Sequence, residues 1–205
     1  MKTLVLYAHP FETSFNHAVL EVVTRTLKAH QAEVAVRSLY QLNFQPIAST
    51  TDFAALAEGE TSADVRDEQN WVLWADQLIL IYPVWWTGMP AILKGYFDRV
   101  FTPGFAYRYE DGIKQRLLQG KQGLIFSTTG ATREAYEKGM FEAMNRTLDE
   151  GIFAFSGIEV RDHHYMSNLP GSTAEEREKM LLDVEQKVAE LIFPSSRSLT
   201  ASGCF

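Results

Sequence analysis

The run Leu80-Ile-Tyr-Pro-Val-Trp-Trp-Thr-Gly-Met-Pro-Ala-Ile-Leu-Lys-Gly-Tyr-Phe-Asp-Arg-Val-Phe101 decides the fold. It completes an apolar stretch, Gln77-Leu-Ile-Leu-Ile-Tyr82, that lacks polar alternation and so reads as a strand covered on both faces. Pro83-Val-Trp-Trp-Thr-Gly88 is an aromatic loop, and Ala91 to Val100 carries a helical apolar pattern. A strand, loop and helix in that order form the half-unit of an open α/β sheet, whose ligands bind beyond the carboxyl ends of the strands.

Outward from this run the same alternation continues. Thr3-Leu-Val-Leu-Tyr7 is a short apolar strand, and a helix capped by Thr13 or Ser14 follows, with Phe15, Val19, Val22, Val23 and Leu27 on one face. Val34 to Leu39 is a second strand; Tyr40 to Ala63, with Pro46 and Gly59, reads as a surface excursion; Asp64 to Ala75 suits a helix. Gln122 to Ser127 is a fourth strand, a helix spans about Glu134 to Asp149, a strand lies near Ile158 to Arg161, and an amphipathic helix runs from Thr173 to Ile192. Five strands alternating with helices predict an α/β, doubly wound parallel sheet of flavodoxin-like order 2-1-3-4-5. One domain over residues 1–193 is expected, with a tail from Pro194 to Phe205.

Composition narrows the function classes. With 205 residues and 46% hydrophobic side chains, the chain can bury a full core. A net charge of -7 without a dense basic cluster argues against nucleic acid as partner. The single cysteine, Cys204, permits neither a disulfide framework nor a cysteine-based metal site. No metal is expected. His163 and His164 are adjacent on a strand end, point to opposite faces and read as surface or capping residues. There is no signal-peptide pattern and no apolar run of membrane length, so a cytoplasmic location is expected.

Three loops converge at the carboxyl edge of such a sheet. His9-Pro-Phe-Glu-Thr-Ser-Phe-Asn16 enters a helix N-terminus whose free N–H groups suit a phosphate, with Thr13, Ser14 and Asn16 as further donors, although an ordinary N-cap would look the same. Trp85 and Trp86 place costly apolar area in a loop, to be covered by core, by a subunit interface or by a flat ligand. Thr128-Thr-Gly-Ala131 lets backbone approach a ring closely. A phosphate end, an aromatic middle and a polar ring edge together match a flavin nucleotide. The first strand is followed by neither Gly-x-Gly-x-x-Gly nor a Walker sequence, which disfavours a tightly held nicotinamide dinucleotide or a P-loop.

Four stretches carry a closer likeness: Ala8 to Asn16; Leu39-Tyr-Gln-Leu-Asn-Phe-Gln-Pro46; Pro83 to Phe101 with Phe105-Ala-Tyr-Arg-Tyr109; and Ser127-Thr-Thr-Gly130. In these the chain resembles the NAD(P)H:quinone oxidoreductases of the flavodoxin-like superfamily, relatives of DT-diaphorase and of the potassium-efflux ancillary oxidoreductases. The Gly88-x-Pro-Ala-Ile-Leu-Lys-Gly95 block is its most specific part. The resemblance implies that His9, Phe15 and Asn16, with Gln69 nearby, hold the phosphate and ribityl end of a flavin. It sets Pro83, Val84, Trp85, Trp86 and Thr87, then Thr128, Thr129 and Gly130, along the isoalloxazine ring. It puts Tyr136 at the flavin's N1 and C2 carbonyl as the catalytic residue and Arg177 at the nucleotide end. Tyr107 and Tyr109, with Trp86, would face substrate across a homodimer.

The implied activity is hydride transfer from NAD(P)H through the flavin to quinones or similar electrophiles, in ping-pong order. The absence of a glycine-rich phosphate nest and the availability of Arg177 favour FAD over FMN. One departure stands out. Relatives commonly carry a histidine shortly after the tyrosine, whereas Tyr136-Glu-Lys-Gly-Met-Phe141 offers Met140 or Phe141. Two other roles are compatible with the same features: a regulatory flavoprotein partner of a membrane transporter, and a flavodoxin-type electron carrier.

Overall fold

A computed structural model describes residues 1–193; the expected tail and Cys204 lie outside the described residues. Its core is a parallel five-stranded sheet whose strands lie in the order 2-1-3-4-5 when they alone are counted along the chain. These strands are β1 (Lys2–Tyr7), β2 (Glu33–Ser38), β3 (Gln77–Pro83), β6 (Gln122–Thr128) and β7 (Glu159–Met166). The unbroken apolar runs at β1, β3 and β6 occupy the middle of the sheet, and every residue of β3 is buried.

Alternate strand residues serve opposite faces, as the pleat requires. Val5, Tyr7, Ile79, Ile81, Leu124 and Phe126 pack under α1 (Phe15–Ala29) and α7 (Ala174–Ile192). Leu4, Leu6, Leu78, Leu80, Tyr82 and Ile125 pack with α4 (Ala91–Val100) on the other face. Helix α4 sits unusually close to the chain after β2. A Cβ on Gly95 would fall 2.1 Å from the Pro46 carbonyl oxygen, so a glycine is required at that contact. This accounts for one glycine of the Gly88 to Gly95 block and seats the helix that follows the aromatic loop.

Three parts of the sequence reading are revised. The excursion before Ala63 contains a helix, α2 (Thr50–Ala57), started by a reciprocal capping box between Ser49 and Asp52; α3 (Ala63–Trp74) follows it. The segment expected as one helix from Glu134 to Asp149 is α5 (Arg133–Tyr136), a break at Gly139 with φ 105°, and α6 (Met140–Asn145). α6 then passes into a π-helical segment, Arg146–Ala154. A non-glycine residue would resist the left-handed backbone at position 139, so the chain turns there. A hairpin of β4 (Tyr107–Glu110) and β5 (Ile113–Arg116) also projects from the connection between α4 and β6.

Candidate flavin site

The strand ends are in register where the loops leave. Pro83 pairs with Thr128, and Thr128 with Met166, so the loops after β3, β6 and β7 depart from one edge. The first loop joins them because the Ala8 N–H donates to the Ile81 carbonyl at 3.0 Å. The chain runs from β1 to β2 on one side and reaches β3 on the other, which makes this edge the topological switch point.

In the first loop Ser14, rather than Thr13, caps α1: its Oγ accepts from the His17 N–H at 3.2 Å. Thr13 is left exposed. The Phe11 N–H donates to His9 Nδ1 at 3.1 Å when a neutral ring carries its proton on Nε2; the Phe11 carbonyl oxygen lies 3.3 Å from the same nitrogen and accepts from it when it is protonated. Burial holds the His9 pKa below its ordinary value, so that neutral form prevails near pH 7. Phe15 packs on the α1 face of the core. Asn16 is buried; its Nδ2 donates to Thr128 Oγ1 at 2.9 Å, while its Oδ1 is buried without a partner. A buried unpaired carbonyl oxygen costs on the order of 1–3 kcal/mol, which marks a place where a ligand donor would be accepted.

In the second loop the Val84 N–H donates to the Thr128 carbonyl at 2.8 Å, extending the sheet by one residue. Trp85 and Gly88 then exchange backbone hydrogen bonds at 2.9 and 3.1 Å around a two-residue turn. Its central residues, Trp86 and Thr87, both lie at positive φ, 51° and 57°. Such turns favour Asn-Gly, and a β-branched residue at this φ is a genuine outlier. Trp86 is 102% exposed and Trp85 43%, so the pair is not core packing.

Thr128 and Thr129 are buried and Gly130 is open. The Thr129 N–H donates to Met166 and its carbonyl accepts from Leu169 N–H at 3.1 Å, tying this loop to the one after β7. Tyr136 is half-buried, its ring stacked on Phe141 at 5.3 Å. Arg177 braces the same region from α7, donating to Ser172 Oγ at 2.9 Å and to the Leu169 carbonyl at 2.8 Å.

Three predicted residues stand elsewhere. Gln69 donates to the Val100 carbonyl at 3.0 Å, at the end of α4 remote from the loops. Tyr107 packs on Phe155 at 4.9 Å and against Tyr109, which is 62% exposed on the hairpin. The loops of one chain therefore do not gather these three.

The surface or capping expectation for the histidine pair fails at His163. The two rings do take opposite faces, His164 lying edge-on to Phe126, but the His163 side chain is only 3% exposed. Its Nδ1 meets Asp149 Oδ1 at 2.9 Å, and its Nε2 meets Ser127 Oγ at 2.8 Å. Tyr82 and Tyr165 complete the group. The missed signal was the polar ending of three adjacent strands, since Tyr82, Ser127 and Tyr165 are register partners. Among the described residues no cluster of three or more His, Cys, Asp or Glu is placed to hold a metal, and no helix is long and apolar enough to cross a membrane.

A parallel sheet of this order with three loops at its switch point defines a flavodoxin-like protein, and the family model described as "Flavodoxin-like fold" matches residues 1–188. The chain belongs to that family, in the branch whose named members include NAD(P)H quinone oxidoreductases. It is 38% identical over 161 residues to a Haemophilus influenzae protein named "Uncharacterized NAD(P)H oxidoreductase", covering 78% of this chain and 80% of that one. It is 38% identical over 180 residues to NAD(P)H dehydrogenase [quinone] 1 of Cavia porcellus, covering 78% and 66%. The solved NAD(P)H:quinone oxidoreductase of Methanothermobacter marburgensis superposes with a TM-score of 0.83 at 29% identity, over 94% of this chain and 97% of that one.

Proposed function

We propose that this chain is a flavin-dependent NAD(P)H oxidoreductase that delivers two electrons to quinones or related flat electrophiles. The observation that carries the reading is the carboxyl edge itself: the buried Asn16, whose Oδ1 has no partner, bonds Thr128 at the end of one strand, and Thr128 pairs with Pro83, from which the strained, solvent-facing Trp86 turn leaves. The names of the relatives support the substrate classes.

The flavin would be held at its phosphate and ribityl end by the first turn of α1, with His9, Thr13 and Phe15 towards the phosphate and Asn16 Oδ1 accepting from a ribityl hydroxyl. Pro83, Val84, Trp85 and Trp86 would wall the ring, and the Trp86 and Thr87 amides together with Thr128, Thr129 and Gly130 would meet its polar edge. The bound flavin supplies hydride acceptance and donation, which no side chain of the site can. Tyr136 is assigned to the charge that develops at N1 and the C2 carbonyl. Arg177 would reach the nucleotide end, and FAD is favoured over FMN because that arginine is available beyond the first phosphate.

A homodimer completes this reading. Phe11, Ile47, Phe53, Trp86 and Tyr109 are large apolar side chains in solvent, and α2 buries none of its residues. A second copy would cover such a face and would bring Gln69, Tyr107 and Tyr109 towards the partner's loops, which this chain cannot do by itself. One flavin unit over residues 1–193, working in the cytoplasm, is part of the same proposal. Nicotinamide and acceptor would occupy the aromatic pocket in turn, giving ping-pong kinetics.

The test is direct. Purified protein should be yellow, release FAD on denaturation, sediment as a dimer and be bleached by NADH or NADPH under anaerobic conditions. A colourless protein that fails to take up FAD or FMN overturns the reading.

A further inference from the structure

The buried cluster around His163 is the inference the molecule carries furthest. Six polar side chains from five segments meet behind the three loops, Tyr82 of β3 and Ser127 of β6 fully buried, and His163 and Tyr165 of β7, Asn145 of α6 and Asp149 of the π-helical segment partly so. A core this polar is no more stable than an apolar one of equal volume. Its place is therefore better explained by chemistry than by folding. It lies at the loop-bearing end of the sheet, because Ser127 directly precedes Thr128 and Tyr82 directly precedes Pro83.

The cluster is also linked outward. His163 stacks on Tyr165 at 4.1 Å and 19°, Tyr165 contacts Phe141 at 4.4 Å, and Phe141 stacks on Tyr136 at 5.3 Å. The outer end of this file of rings is the tyrosine assigned above to the flavin.

The hydrogen bonds are arranged to tolerate a change of charge. Nδ1–H of His163 donates to the Asp149 carboxylate, and Tyr165 O–H donates to Asn145 Oδ1 at 2.7 Å. At Nε2 both neighbours are hydroxyls, Ser127 at 2.8 Å and Tyr82 at 3.4 Å. A hydroxyl can donate or accept. Adding a proton at Nε2 thus turns the Ser127 hydroxyl from donor to acceptor at that nitrogen, while Asp149 changes from partner of a neutral ring to counter-ion of a charged one. Burial, reinforced by the charge of Asp149, raises the pKa of Tyr82 and Tyr165, so both phenols stay neutral. Among the described side chains that hydrogen-bond to the His163 ring, Tyr82, Ser127, Tyr165 and Asp149, the carboxylate of Asp149 is the charged one.

We propose that His163, held by Asp149, takes up one proton when the flavin is reduced and gives it back when the flavin is reoxidised. The inference rests on the flavin reading above. Hydride from NAD(P)H adds one net negative charge to the pocket; His163 binds one solvent proton at Nε2, and the His163 and Asp149 pair goes from a net charge of one negative to neutral. When the acceptor departs with a hydride and a proton, His163 returns to the neutral ring. Asp149 is a positioning residue, fixing the tautomer in both states.

The experiment uses the flavin-loaded protein as purified, labelled with 15N-histidine, and follows the ring nitrogens by NMR from pH 5 to 9 in the oxidised and the dithionite-reduced forms. His163 is assigned with His163→Gln or, if that variant does not fold, by through-space contact to the Tyr165 ring. The expected result is a rise in its titration midpoint on reduction of at least one pH unit, a tenfold change in proton affinity. In parallel, between the two midpoints the two-electron potential should fall about 30 mV per pH unit more steeply in the natural protein than in His163→Gln, tenfold per unit for a two-electron couple. A His163 ring in one protonation state across both forms, or equal slopes, overturns the inference while leaving a flavoprotein; failure to bind any flavin overturns both.

Discussion

Two tight turns in this chain have the same backbone and opposite sequences. Asp111 and Gly112 join β4 to β5 with φ of 52° and 77°, and Trp86 and Thr87 join Trp85 to Gly88 with 51° and 57°. Asp-Gly is a preferred pair for this geometry; Trp-Thr is among the poorest, since a Cβ collides with backbone at positive φ and Thr branches there. The first turn needs no account beyond local preference. The second is held against its preference by the Val84 N–H bond to Thr128 and by the Trp85 to Gly88 backbone pair, and presents an indole entirely to solvent. At the second turn a strained β-branched residue and a fully exposed indole coincide where a ligand is proposed.

The largest expected effect lies in binding. Trp86→Ala removes a ring that touches solvent, so stability to urea should stay within about 0.5 kcal/mol. Flavin or acceptor affinity should drop by about 1–3 kcal/mol, roughly ten- to a hundredfold, for the lost stacking area. Fluorescence titration of apoprotein with FAD and steady-state KM for a quinone measure the two. A variant that unfolds early and binds normally would make Trp86 structural.

The reciprocal exchange of turn chemistry follows. Gly112→Thr imposes on the outer hairpin the conflict that Thr87 bears, and should cost about 1–2 kcal/mol in urea without altering flavin affinity. Thr87→Gly removes the conflict and should gain about 0.5–1 kcal/mol, less the entropy a glycine adds to the unfolded chain. It should also loosen the loop and raise the flavin Kd. If Thr87→Gly gains nothing and Gly112→Thr loses nothing, the two turns are energetically alike and the contrast drawn between them fails.

The same contrast shows what was legible in the sequence. The strand order and the three-loop edge could be read because β1, β3 and β6 are unbroken apolar runs followed by loops of marked composition. The hairpin carried its own signal in Asp111-Gly112, and α2 carried one in the Ser49 to Asp52 spacing; both lay in stretches otherwise poor in periodicity. The Trp86 turn had no such signal, because its backbone is imposed by the pairing of its neighbours, Val84 to the sheet and Trp85 to Gly88. The His163 cluster was beyond reach for a further reason. Asp149 meets the ring from a π-helical segment whose side-chain spacing departs from 3.6 residues per turn, so a helical projection from Glu134 does not align the two.

The smallest effect concerns the third turn at this edge, His9-Pro10-Phe11, which is closed by a side chain instead of by positive φ. The Phe11 N–H donates to His9 Nδ1, an acceptor only while that nitrogen is unprotonated. Burial lowers the His9 pKa below its ordinary value of 6.5, and burial, with Lys187 nearby, lowers that of His164. The unfolded chain therefore binds more protons than the folded one in this range. The stability these rings contribute is full above pH 6.5, the unfolded value, and is lost as pH falls through the lower folded values. Urea midpoints of the natural protein should consequently be lower at pH 5.5 than at pH 7.5. His9→Asn, which keeps an acceptor for the Phe11 N–H but does not titrate, should show a smaller fall, with the remainder due to other titrating groups, His164 among them. Equal falls in the two proteins would mean that His9 titrates alike folded and unfolded, and that the first loop is held by the Ser14 cap rather than by the imidazole.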